Sequence, residues 1–209
     1  LPPEERSAYL DRYPNAARIV RWCFLVAFGA LGVGGLFGLI QGLHRTGYFR
    51  GIVSSADYYT ILTGHGVLLA LVFTTFFIAG LFTWATTRSL EMDIPRPRLG
   101  VVWFSMILLG TVMAAVAILG GLIDQIPASA DVLFTFYAPM QAHPLFYGGA
   151  ALIVVGSWIA GAQYFLMYRE WRQENPGERI PLQSFMVLTT MLMWYLSTIG
   201  VALEVVVFL

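Results

Sequence analysis

The chain has 209 residues, 58% of them hydrophobic and 11% charged, whereas an ordinary soluble domain is about half apolar and about a quarter charged. Twelve basic residues, all arginine, balance twelve acidic ones, so net charge draws no polyanionic partner. These figures exclude a soluble enzyme, a nucleic-acid-binding protein and a disordered linker, and they point to a protein whose solvent is the lipid bilayer.

In chain order, residues 1–18 are polar (Pro2, Pro3, Glu4, Glu5, Arg6) and lack a cleavable signal pattern. Five runs then reach the length of about 20 apolar residues that a spanning helix needs: 19–41, 59–84, 99–123, 145–168 and 182–209. The runs are continuous rather than alternating, which selects helices over a barrel, since lipid tolerates only segments that satisfy their own backbone. The expected fold is all-α, a polytopic transmembrane helix bundle, with 1–18 as an N-terminal segment and 19–209 as the membrane domain. The chain begins with Leu1 and stops at Leu209 inside an apolar run; both features are expected of a piece of a longer polypeptide. Cys23 is the single cysteine and cannot close an internal disulfide.

The connecting segments carry the orientation. Arg6, Arg12, Arg18 and Arg21 precede or open the first span, Arg88, Arg96 and Arg98 lie between spans two and three, and Arg169, Arg172 and Arg179 lie between four and five. The opposite side holds only Arg45 and Arg50. The positive-inside rule therefore predicts a cytoplasmic N-terminus in a cell inner or plasma membrane, with the segment 124–143 outside. That outer loop carries Asp124 and Asp131, which read as solvated, and the aromatics Phe134, Phe136 and Tyr137.

Ionisable groups at membrane depth are functional candidates. His65 lies about two turns inside the outer end of the second span, between Gly64 and Gly66. One reading is a histidine hydrogen-bonded to a neighbouring helix. The other is an axial ligand to heme iron, in which a neutral imidazole offers one nitrogen to the metal and donates the other; the flanking glycines favour it by clearing room for a flat macrocycle. Glu204, about 33 Å along the fifth span, reads as a structural carboxylate or as a proton relay. His44 and His143 fall in the outer loops and read as surface or interface histidines. In the first span, Gly34 and Gly38 form a small-xxx-small step. It serves either plain helix packing or the approach of a cofactor held by His65. Trp103, Met106, Phe146, Trp158 and Trp194 read as packing and interfacial anchors. No phosphate-cradling loop, paired metal-binding cysteines or nucleophile elbow is present. His65 is the only histidine well inside a span, so the second strong ligand of a low-spin heme would have to come from outside this chain.

The stretch LTGHGVLLALVFT at 62–74 resembles the second helix of subunit I of heme–copper oxygen reductases, and within them the B-type (ba-type) cytochrome c oxidases. VLFTFYAPMQAH at 132–143 is similar to that family's outer loop leading into its fourth helix. YREWRQENPG at 168–177 and LEVVVFL at 203–209 are similar in the same order, and the likeness runs from about Tyr13 onward. Ala138 departs from the pattern where relatives often carry a second proline, which bears on loop stiffness rather than on the reaction.

The resemblance implies that the chain is the first part of a larger subunit of about twelve spans. His65 matches the family's axial ligand to the low-spin heme iron, with a b-type heme expected. Gly35 and Gly38 match helix-one positions near that heme, and Tyr137 lies in a loop that approaches it. The implied function is that of a terminal respiratory oxidase. It would take electrons from cytochrome c through the copper centre of subunit II and pass them to an oxygen-reducing high-spin heme–copper pair, with coupled proton pumping. The copper ligands, cross-linked tyrosine, high-spin heme ligand and second low-spin ligand belong to later helices, so this chain holds no oxygen-reduction site of its own. The rival readings are a quinol oxidase or nitric oxide reductase of the same superfamily, and a non-catalytic membrane scaffold or transporter segment.

Overall fold

The computed structural model describes residues 9–49, 51–120 and 142–208, with side chains up to 203. Among them lie five helices long and apolar enough to cross a membrane. They are α1 (Pro14–Arg45), α2 (Ser55–Leu90), α3 (Pro97–Leu119), α4 (Pro144–Glu174) and α5 (Leu182–Phe208). The all-helical bundle expected from the composition is what forms. Tyr137 lies outside the described residues, as does the side chain of Glu204.

The helices overrun the apolar stretches because their ends are set by capping chemistry rather than by hydropathy. Pro14, Pro97 and Pro144 each stand at a helix start, where a missing N–H costs nothing. A capping box opens α2: the Ser54 hydroxyl accepts from Asp57 N–H at 3.1 Å, and the Asp57 carboxylate accepts from the Ser54 N–H and hydroxyl. His143 opens α4 with its Nδ1 accepting from Leu145 N–H at 3.1 Å, so this histidine is a local cap.

The start of α1 has no side-chain cap of its own. Instead the Asp93 carboxylate, from the turn between α2 and α3, accepts from Asn15 N–H (3.1 Å), Asn15 Nδ2 (2.9 Å) and Ala16 N–H (2.9 Å), and from Ile94 N–H (2.8 Å). A negative charge at the positive end of the helix dipole satisfies N–H groups that the first helical turn leaves without an intrahelical partner. The same contact ties the N-terminal end of α1 to α2 and α3. Two ion pairs flank it, Arg12–Glu91 at 2.7 Å and Arg96–Glu170 at 3.2 Å, both too exposed to contribute much.

Two kinds of contact hold the bundle. The closest backbone approach is between α3 and α4, where a Cβ on Gly110 would strike the Gly149 carbonyl and one on Gly149 would meet the Gly110 carbonyl at 2.6 Å. Without a hydrophobic drive between helices in lipid, such close approach is the main source of attraction. The second kind is polar bridging by aromatics. Trp103 Nε1 donates to Gln163 Oε1 (2.7 Å), Trp158 Nε1 to Thr198 Oγ1 (2.7 Å), and Trp194 Nε1 to Ser157 Oγ (2.8 Å). Trp103 is fully buried, so it is a core residue rather than an interfacial anchor.

Asp93→Ala removes the acceptor of four donors at once and is expected to lower stability by about 1–3 kcal/mol. Asp93→Asn should recover part of that loss. Thermal unfolding of the purified membrane protein, wild type against the two variants, checks the order.

Candidate functional site

α1 and α2 run antiparallel, and the same number of residues separates Cys23 from Gly38 as separates His65 from Gly80. Gly80 meets Cys23 at one end of this contact and Gly38 meets His65 at the other. His65 is half-buried, and its Nδ1 lies 2.7 Å from the Gly34 carbonyl oxygen. A carbonyl can only accept, so Nδ1 carries the proton and donates. In the neutral ring that assignment leaves Nε2 with its lone pair free.

The ring fits there because of the Gly34–Gly38 step. A Cβ at Gly38 would sit 2.8 Å from His65 Cε1 and 3.1 Å from Nδ1, and one at Gly34 would strike Leu69 at 2.7 Å. Both glycines are therefore needed for α2 to come close enough for the hydrogen bond. Gly64 does not clear room for a macrocycle, because the space beside it holds the Phe37 ring, whose Cε2 would lie 2.8 Å from an added Cβ. Gly35 and Gly66 are exposed, with nothing within 4 Å of an added Cβ. Open space therefore adjoins the histidine on both helices.

Immediately beyond Gly66, α2 changes hydrogen-bonding pattern and runs as a π-helix over Val67–Phe73 before resuming as an α-helix at Thr74. Long π stretches are rare and concentrate at functional sites. Composition gives no sign of this one, since a run of valine, leucine, alanine and phenylalanine reads as ordinary helix. Above the histidine, the His44 ring lies against Tyr58 with centroids 4.8 Å apart, and Arg45 Nε donates to the Tyr58 hydroxyl at 2.8 Å.

A metal site built from protein side chains alone would need several converging ligands. Among the described residues no group of three or more His, Cys, Asp or Glu could hold an ion. A single neutral imidazole with a fixed tautomer, a bare Nε2 and open space beside it fits one axial position of a planar metal cofactor instead. The structure brings His65 and Gly38 into direct contact. It leaves Gly35 facing open space nearby and does not describe Tyr137. The carbonyl of Gly34 is the partner that sequence reading missed: the small-xxx-small spacing marked a close approach, but not that the approaching group is the histidine itself.

Comparison with known proteins shows what the chain as a whole is similar to. The profile of the cytochrome c and quinol oxidase polypeptide I family matches residues 18–209. Cytochrome c oxidase subunit 1 of Thermus thermophilus is 35% identical over 213 residues, covering 98% of this chain and 36% of that protein. A heme–copper terminal oxidase dimer solved by electron cryo-microscopy superposes with a TM-score of 0.80 at 31% identity, over 92% of this chain and 32% of its own. The chain thus spans about a third of the length of these relatives.

Gly38→Val is expected to push the imidazole off the Gly34 carbonyl, whereas Gly35→Ala, placed in open space, should leave it seated. Electron cryo-microscopy of the two variants in the assembled complex distinguishes them by the ring position and the Nδ1–oxygen distance.

Proposed function

The chain belongs to the cytochrome c and quinol oxidase polypeptide I family, and from that premise we propose that it forms the first five spans of subunit I of a terminal oxidase, with His65 as an axial ligand of the low-spin heme iron. The hydrogen bond from Nδ1 to the Gly34 carbonyl carries this reading. It is the arrangement by which ligating histidines are held in one tautomer and made more basic.

When bound, a low-spin heme, b-type in this proposal, supplies a one-electron carrier between cytochrome c, entering through the copper centre of subunit II, and an oxygen-reducing heme–copper centre. The residues of this chain supply position and environment. Gly34 fixes the proton on Nδ1, Gly38 admits the ring, and Gly35 keeps the adjoining face of α1 bare. Phe37, Val67 and Leu68 line an apolar pocket beside Gly64, and Leu68 and Leu69 pack against Gly34, so the surface next to the histidine is apolar. Low polarity and limited water access are what set the potential of a buried heme. Oxygen reduction and coupled proton pumping belong to the complete complex, whose high-spin heme, copper and remaining ligands lie outside this chain. Tyr137 is proposed to approach the heme from the outer loop. Residues 1–18 are proposed to lie on the cytoplasmic side, as the arginine distribution predicts. The 35% identity to a protein named cytochrome c oxidase supports cytochrome c as donor over quinol.

His65→Ala in the intact complex is expected to abolish the low-spin heme band in the reduced-minus-oxidised optical spectrum and to reduce oxygen consumption to background, with assembly retained on a native gel. An unchanged band would return His65 to a packing role.

A further inference from the structure

We propose that Thr74 is a positioning residue for His65, acting through the π-helical stretch between them; this rests on His65 being the heme ligand.

The two ends of α2 are pinned independently. At the outer end, His65 Nδ1 is held 2.7 Å from the Gly34 carbonyl. At the inner end, Thr83 Oγ1 and the Tyr164 hydroxyl are 3.1 Å apart, Tyr164 donates to the Ala79 carbonyl at 3.0 Å, and Thr87 meets Tyr9 at 3.0 Å. Between these anchors runs the π stretch Val67–Phe73. A π turn closes from i to i+5 instead of i to i+4. The two ends are therefore offset from regular α register by one residue, about 100° of rotation and about 1.5 Å of rise.

Thr74 ends the stretch. In an α-helix its N–H would bond the Ala70 carbonyl. Here that N–H bonds Leu71, and the Thr74 hydroxyl stands in, 2.5 Å from the Ala70 carbonyl and 3.3 Å from that of Leu71. Thr60, Thr83 and Thr87 also back-bond to carbonyls four residues earlier, but within regular helix, where the carbonyl keeps its amide partner. At Thr74 the hydroxyl is the substitute that lets a lipid-embedded carbonyl do without that amide. A mostly apolar cavity of about 220 Å³ borders Ala70, Leu71, Thr74 and Thr75, so the turn has room to rearrange.

Without the hydroxyl, the Thr74 N–H gains by returning to Ala70, which closes the turn to α and removes the offset. The inner end is fixed by buried bonds among Thr83, Tyr164 and Ala79, and the outer end by the bond to the half-buried ring and an exposed one from Arg45 to Tyr58, so the outer end rotates. His65 then leaves the Gly34 carbonyl and its imidazole becomes a weaker donor. A weaker donor stabilises ferric iron less, so the midpoint potential of the low-spin heme rises.

The test compares Thr74→Val, Thr74→Ser and the neighbouring control Thr75→Val in the intact oxidase complex. It reads the g-values of the low-spin heme by electron paramagnetic resonance and its midpoint potential by redox titration. The expected result is altered g-values and a raised potential in Thr74→Val, with wild-type values in Thr74→Ser and Thr75→Val. Loss of the low-spin band from an assembled Thr74→Val complex, restored in Thr74→Ser, supports the proposal equally. Wild-type g-values and potential in Thr74→Val overturn it, as does a change of equal size in Thr74→Ser. If Thr74→Val does not assemble, Thr74→Ala against Thr74→Ser makes the same comparison. Retention of the low-spin band in His65→Ala would instead remove the ligand assignment, a separate outcome from a silent Thr74.

Discussion

One hydrogen bond, from the Nδ1–H of His65 to the Gly34 carbonyl at 2.7 Å, organises one end of this bundle. It crosses between two helices long and apolar enough to span a membrane, where an unmatched imidazole N–H would be costly. It decides which nitrogen carries the proton and which way the ring faces. It also requires α1 and α2 to lie closer than side chains on α1 would permit. The Gly34–Gly38 step is the geometric condition for that approach, because a methyl group at Gly38 would occupy the space of the ring.

The opposite end is held by a different chemistry with the same consequence. Asp93 closes the start of α1 from the turn that follows α2, so the axial position of α1 is referenced to α2 at that end. The histidine references it at the other. The helix between these two points meets Cys23, Gly80, Phe24 and Phe77 in a continuous packed seam. The π stretch lies within α2 on the histidine side of that seam, where the phase of the helix changes by about one residue. Fixed ends joined by a segment of unusual pitch let the histidine and the buried threonines each face their own partners.

The apolar periods and polar interruptions made the five spans legible, along with their order and the single histidine worth attention. Helix ends were less legible, since Ser54, Asp57, Pro14 and His143 extend helices past the apolar runs through hydrogen bonds and fixed backbone angles that hydropathy does not weigh. The glycines show the same division. Gly29, Gly32, Gly34, Gly35 and Gly38 look alike along the chain, yet only Gly34 and Gly38 have another residue pressed against them. The tightest backbone approach among the described glycines falls on Gly110 and Gly149, on α3 and α4.

Composition and hydropathy alone determined that the chain is a membrane-embedded helical bundle, because lipid leaves so few backbone solutions for long apolar runs. The linked motifs around His65 placed it within a family, because several short matches in register constrain one another. Tertiary structure alone decided that the partner of His65 is a backbone carbonyl, that the Gly64 space belongs to Phe37, and that α2 widens beyond its histidine. Those outcomes depend on how two helices are phased against each other, and phase is set by contacts between residues far apart in the chain.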